Sequence, residues 1–189
     1  MLIVNNWWET KRKEVKKMTA EKFQHASPMQ TTDIEKIVLN SGVGQAVVNK
    51  QLLDNTEKVL IQISRGQKPI LTYARKSITG FKLREGMPIG CKVTLRKKKA
   101  WDFLFELINL DLPSISNFRG LSNQKFDQKG NYNFGINDLN IFPTVPHSLT
   151  FKNQGVQITI AFKSSSVEEN NYFLGLLGFP FKENRPKAK

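Results

Sequence analysis

The chain has 189 residues, 39% of them apolar, enough for a domain-sized hydrophobic core. Lysine and arginine outnumber aspartate and glutamate 29 to 16, a formal net charge of +13, so the folded chain repels itself unless something anionic is bound: nucleic acid, an acidic membrane surface or an acidic protein. The single cysteine, Cys91, excludes an internal disulfide, and no apolar run is long enough to span a bilayer.

The opening Met1-Leu2-Ile3-Val4 is too short for a signal-peptide core, and Glu9, Glu14 and Glu21 are unlike a transit peptide, so no targeting segment is expected. A helix is predicted from Asn6 to Gln24, burying Trp8, Val15, Met18 and Phe23 and broken by Ser27-Pro28. Its cations (Lys11, Arg12, Lys13, Lys16, Lys17 and Lys22) either meet nucleic acid or pair with the helix's own glutamates. Asp33 to Asn40 reads as a strand with Ile34, Lys36, Val38 and Asn40 on one face and Glu35, Ile37 and Leu39 on the other. After the turn Gly42-Val43-Gly44, Val48, Leu52, Val59, Leu60 and Ile63 recur at helical spacing, with Gly66 as the stop. Pro69 to Tyr73 and Gly90 to Arg96 are predicted strands, joined by a long loop from Arg75 to Pro88. Trp101, Leu104, Phe105 and Ile108 mark a helix ending before Pro113. Asn131 to Ile136 and Val156 to Phe162 read as strands, the second with Val156, Ile158, Ile160 and Phe162 inward. Phe173, Leu174 and Leu177 mark a last helix, capped by Gly178.

Strands in succession, interrupted irregularly by helices, predict an α+β fold: a mostly antiparallel sheet packed against helices, with a long basic loop. No repeat or low-complexity linker divides the chain, so one domain is expected over residues 1–189, with a helical segment at 1–28 and a flexible basic tail at 182–189.

Charge concentrates in the middle of the chain. Residues 65–99 hold eleven basic side chains and one acid, Glu85. Such a run can be a solvated face. Here Gly66, Gly80, Gly86 and Gly90 interleave with the charge, and apolar Ile78, Phe81 and Leu83 sit inside the basic loop, which favours a nucleic-acid surface. Catalytic chemistry finds little support. Gly42-Val43-Gly44 lacks the third glycine of a dinucleotide fingerprint, Val47 standing there, and no acid follows about twenty residues on. The turn is either structural or an amide site for an RNA phosphate. Two histidines, His25 and His147, and one cysteine offer no metal-ligand spacing. A dyad of Cys91 with a histidine stays open, against the commoner reading of Cys91 as a small buried hydrophobe. No catalytic residue, metal or cofactor is expected.

Ordered blocks carry a resemblance. They include Ile34-Glu35-Lys36-Ile37-Val38-Leu39-Asn40-Ser41-Gly42-Val43-Gly44, Gly66-Gln67-Lys68-Pro69, Ala74-Arg75-Lys76-Ser77 and Gly80-Phe81-Lys82-Leu83-Arg84-Glu85-Gly86. They continue through Pro88-Ile89-Gly90-Cys91-Lys92-Val93-Thr94-Leu95-Arg96, Phe118-Arg119-Gly120-Leu121, Gly130-Asn131-Tyr132 and Ile141-Phe142-Pro143. From about Met29 to Phe181 the chain resembles the bacterial-type large-subunit ribosomal protein L five family, which binds 5S ribosomal RNA. The resemblance implies a structural constituent of the large subunit that holds 5S and large-subunit ribosomal RNA in the central protuberance. Asn40, Gln67 and Thr94 match the family's RNA contacts, with Lys68, Lys92 and Arg96 supplying the surrounding field. The loop holding Arg75, Lys76, Ser77, Gly80, Lys82 and Arg84 matches the element that reaches transfer RNA in the peptidyl site. Ile136 to Val145 matches the part facing small-subunit ribosomal protein thirteen across the subunit bridge. No membrane partner is implied.

The chain departs from the family pattern in places. Lys97-Lys98-Lys99 stand where a glycine and an acid are usual, which predicts extra contact with RNA or an acidic neighbour. Thr144, Ser116 and Asn117 replace charged residues, so the bridge is expected to be less charged or differently covered. A free carrier or chaperone of 5S ribosomal RNA is the competing function. Abundant Asn, Lys and Phe point to an A+T-rich genome, hence an organellar ribosome (mitochondrial matrix or plastid stroma), with a bacterial cytoplasm as the alternative.

Overall fold

A computed structural model of the chain describes residues 4–27, 29–44, 49–150 and 154–182. The elements in order are α1 (Val4–Lys22), β1 (Ile34–Gly42), α2 (Lys50–Ile63), β2 (Ile70–Tyr73), β3 (Pro88–Arg96), α3 (Lys98–Glu106), β4 (Tyr132–Ile136), β5 (Val156–Phe162) and α4 (Val167–Leu176). The five strands form one antiparallel sheet in the order β2-β3-β1-β5-β4, so the α+β class expected from the sequence is what forms.

The chain divides into two compact units: Met1–Glu35, Leu104–Asn133 and Ile160–Lys189 in one, Lys36–Phe103 and Phe134–Thr159 in the other. In the second unit, alternation along β1 and β3 sends Ile37, Leu39 and Ser41, and Cys91, Val93 and Leu95, into the core. Helix α2 packs on β3 and buries Leu53, Thr56, Val59, Leu60 and Ile63. Its start is capped by the Asn49 side chain, which accepts from the Gln51 amide at 3.0 Å. Its end is the glycine stop foreseen in the sequence: Gly66 lies at φ +81 and its amide reaches back to the Ile61 carbonyl at 2.8 Å. Ser41 and Gln154, polar and buried, find partners. Ser41 Oγ donates to the Gly155 carbonyl at 2.8 Å, and Gln154 Nε2 donates to Thr56 Oγ1.

In the first unit, α1 packs against α4. Asp33, buried just before β1, accepts from Arg12 and from Lys16 at 2.8 Å. The Glu169 carboxylate takes the Thr32 amide at 2.7 Å and the Ser164 hydroxyl at 3.0 Å. Its neighbour Asn170 donates to the carbonyls of Gly130 and Ser164 at 2.9 Å each. Tyr132 is fully buried, edge-on to Phe179 and Phe181, and its hydroxyl donates to the Ser122 carbonyl at 2.7 Å. All four β5 residues read as inward are buried.

Several helix faces differ from the sequence reading. Met18 is 49% exposed, and Thr19 takes the buried place after Val15, its hydroxyl donating to the Val15 carbonyl at 2.8 Å. At about 100° per residue, Thr19 sits four positions from Val15 and therefore on the same stripe. By the same phase Leu53 is buried while Leu52 is half-buried. Phe103 and Leu107 are buried where Phe105 and Ile108 are only partly so. Helix α1 ends at Lys22, with Gln24 left-handed at φ +53, rather than running to Gln24. The predicted Pro28 break, Val48 and most of the basic tail lie outside the described residues.

Candidate nucleic-acid interface

The alternation that buries Ile37, Leu39, Cys91, Val93 and Leu95 turns their neighbours to the other side of the sheet. Lys36 pairs with Arg96, Val38 with Thr94 and Asn40 with Lys92; on the far side of β3, Ile70 also pairs with Lys92. Ile70, Lys92 and Asn40 thus form one row across three strands, roughly 10 Å long at the usual strand spacing. Lys92 and Arg96 are exposed, Lys36, Val38, Asn40 and Thr94 half-buried, and Ile70 is 66% exposed. Polar donors, cations and two apolar side chains, Val38 and Ile70, share this face. It presents groups suited to phosphate, ribose and the flat side of a base.

Of the residues singled out from the sequence, Asn40, Lys92, Thr94 and Arg96 come together on this face. Gln67 and Lys68 do not lie on the strands. They occupy the turn from α2 into β2, where Ser64 Oγ donates to the Gln67 carbonyl at 2.9 Å. The Gln67 side-chain oxygen accepts from Lys99 Nζ at 3.0 Å. Ile70, and the half-buried pair Lys36 and Val38, were not nominated as site residues. Alternation placed Lys36 and Val38 beside Asn40, but only the pairing register aligns them with Thr94 and Arg96.

The basic segment after β2 is a built hairpin. Ala74 and Met87 pair at its base, the Ala74 amide donating at 2.8 Å. Ile78 and Leu83 exchange two hydrogen bonds of 3.0 and 3.1 Å near its tip, and Ser77 Oγ accepts the Glu85 amide at 2.9 Å. Arg75, Lys76, Ser77, Gly80, Lys82 and Arg84 are all exposed, and Phe81 at the tip is 73% exposed. The glycines of the basic run play different parts. Gly86, at φ +79, permits a turn, and Gly80 leaves open space beside the backbone. Gly90, counted from sequence among glycines available to a phosphate, is instead buried between strands. A Cβ there would meet the Ser41 carbonyl oxygen at 2.7 Å.

Among the described residues, the remaining groups form no catalytic constellation. Cys91 is buried, and burial first, then the charges of Glu57 and Asp54, push its thiol up to about 11, which makes it unreactive near neutral pH. His25 Nε2 lies 3.3 Å from Glu169 Oε1. Among the described residues no group of His, Cys, Asp and Glu is placed to hold a metal, and no helix is long and apolar enough to cross a membrane. After Gly44, residues 45–48 fall outside the described residues, and α2 begins at Lys50 behind its own asparagine cap. In Ile136–Val145, Ile136, Leu139, Phe142 and Val145 point inward, while Asn137, Asp138, Asn140 and Thr144 are exposed.

Fold and surface define an α+β protein whose basic, donor-bearing sheet face and basic hairpin suit a polyanion. The chain belongs to the ribosomal protein L5 family: residues 27–84 match the family's model of ribosomal protein L5, and residues 88–181 match the model of the family's C-terminus. It is 46% identical over 175 residues, 93% of this chain and 98% of the relative, to the large ribosomal subunit protein uL5 of the bacterium Syntrophomonas wolfei. It is a structural protein of the large ribosomal subunit, of the bacterial type, and not an enzyme.

Proposed function

We propose that this chain, as a structural constituent of the large ribosomal subunit, binds 5S ribosomal RNA through the open face of β1 and β3. The single observation that carries this reading is the register Lys36–Arg96, Val38–Thr94 and Asn40–Lys92, which gathers cations and neutral donors on one side of the sheet. Asn40 and Thr94 contact phosphate or ribose hydroxyls, Gln67 donates from the adjoining turn, and Lys68, Lys92 and Arg96 supply the attractive field. Large-subunit ribosomal RNA completes the neutralisation of a +13 chain. The hairpin carrying Arg75, Lys76, Ser77, Gly80, Lys82 and Arg84 approaches peptidyl-site transfer RNA and follows its backbone without reading bases. The exposed edge of 136–145 contributes to the bridge toward small-subunit protein thirteen, and Thr144 makes that contact less charged. Abundant Asn, Lys and Phe support an organellar ribosome; the bacterial relative fits a bacterial cytoplasm equally.

The test compares the full chain with Asn40→Ala, Gln67→Ala and Thr94→Ala for affinity and footprint on 5S ribosomal RNA. Each loses about 1–3 kcal/mol of binding with the fold intact. Unchanged affinity in all three overturns the site. Co-sedimentation with large subunits at physiological salt separates a resident constituent from a free carrier of 5S RNA.

A further inference from the structure

The sheet face does not account for the densest charge on the chain. Arg96, Lys97, Lys98 and Lys99 are four successive cations, all exposed. Two cross-links bring the start of α3 against the end of α2. Lys99 Nζ donates to Gln67 Oε1 at 3.0 Å, and Arg65 lies 3.5 Å from Asp102. The junction therefore adds Lys68, also exposed, to the same cluster, and the acid there, Asp102, is nearly buried and already faces Arg65.

The backbone does not favour lysine at these positions. Lys97 sits at φ +51, a conformation that glycine adopts freely and a lysine does not. Lys98 and Lys99 stand in the first turn of a helix, the end that disfavours cations. A basic cluster drawn from two elements and set against its own backbone preferences matches an external anion. Lys99 has a second effect. With Oε1 of Gln67 accepting from the ammonium, the other end of the amide, Nε2, is left with its two N–H donors, so Gln67 meets a ligand as a donor.

We propose that the junction of α2 and α3 prolongs the RNA-backbone site beyond Gln67 and Lys68, with Lys97 and Lys98 taking further phosphates and Lys99 positioning the Gln67 amide as a donor. The inference rests on the 5S RNA reading above and extends that interface past the sheet along the RNA backbone. Phosphate is the ligand chemistry because the cluster offers point charges and N–H donors.

The experiment measures binding of the full chain to in vitro transcribed 5S ribosomal RNA as a function of potassium chloride. Each lost phosphate contact flattens the slope of log K against log salt by somewhat under one. Lys97→Ala with Lys98→Ala flattens it by roughly 1.5. Lys97→Gly flattens it by under one and raises the melting temperature by about 2–4 °C, a gain in stability with a loss in binding. Lys99→Ala weakens binding several-fold beyond its slope change, Lys99→Arg restores it, and the extra loss vanishes in a Gln67→Ala background. Slopes equal to the unaltered chain's, or a Lys99→Ala loss independent of Gln67, overturn the inference alone. Variants that bind 5S RNA normally yet drop out of assembled particles assign the patch to an acidic protein neighbour and also overturn it. Failure of the unaltered chain to bind 5S RNA overturns the parent reading, and this one with it.

Discussion

Replacing Asp33 with alanine removes the buried centre of a partly exposed ion triad. The Asp33 side chain is 1% exposed, while those of Arg12 and Lys16 are 35% and 20% exposed. Removing one member of a fully buried pair costs about 3–5 kcal/mol, because the partner is left charged and desolvated. Arg12 and Lys16 retain some water, which screens them, so the expected loss is about 2–3 kcal/mol. For a chain of this size that lowers the melting temperature by about 5–10 °C. The pH dependence fixes the cause. Burial by itself would raise the Asp33 pKa, but the hydrogen bonds and charges of Arg12 and Lys16 overcome it and hold the carboxyl below its usual value. A depressed acid stabilises the fold above its unfolded pKa and stops doing so as pH falls through the folded value. The gap between Asp33→Ala and the unaltered chain should therefore be full near neutrality and narrow below about pH 4. Circular dichroism melts across that range test it, with Arg12→Ala added to check that the two losses are less than additive. A melting temperature within about 2 °C of the unaltered chain at pH 7, or a gap that persists unchanged in acid, refutes the reasoning.

Asp111 behaves oppositely, since burial, and then Glu106, push its carboxyl up to about 6. Its neutral form stabilises the fold at low pH, and that contribution is lost as pH rises through about 6. Asp111→Asn should thus gain about 2 kcal/mol at pH 7 and nothing below about pH 4, read as paired urea midpoints; no gain at neutral pH removes the idea. Gly90→Ala forces a Cβ to 2.7 Å from the Ser41 carbonyl oxygen and 2.9 Å from Thr72 Oγ1, so the strands flanking β3 must part. A loss of about 2–3 kcal/mol in urea unfolding is expected, and one under about 0.5 kcal/mol is incompatible with that contact. Cys91, with its thiol near 11, should resist iodoacetamide in the native chain at pH 8 and react at least about 100-fold faster in urea; stoichiometric native labelling contradicts its burial.

Where side-chain period and chemistry are local, the sequence was enough. Strand β5 alternates apolar and polar residues, so its inward side chains were legible, and Gly66 and Gly178 marked helix ends because only a left-handed residue closes the last turn cheaply. The excess of cations between residues 65 and 99 called for an anionic partner before any fold was known. Helix phase was less secure. A polar threonine took the buried stripe at Thr19 because its hydroxyl bonds back to Val15, leaving Met18 in water.

Tertiary structure alone decided how distant segments meet. No local pattern sets Asn40 opposite Lys92, or Val38 opposite Thr94, because register between strands about fifty residues apart is chosen by packing of their buried faces. The same holds for Lys99 reaching Gln67 and for Arg12 and Lys16 converging on Asp33, contacts between side chains that sequence spacing does not relate. It also turned Gly90 from a candidate phosphate site into a spacer between strands, since the room beside a glycine depends on what the fold brings next to it.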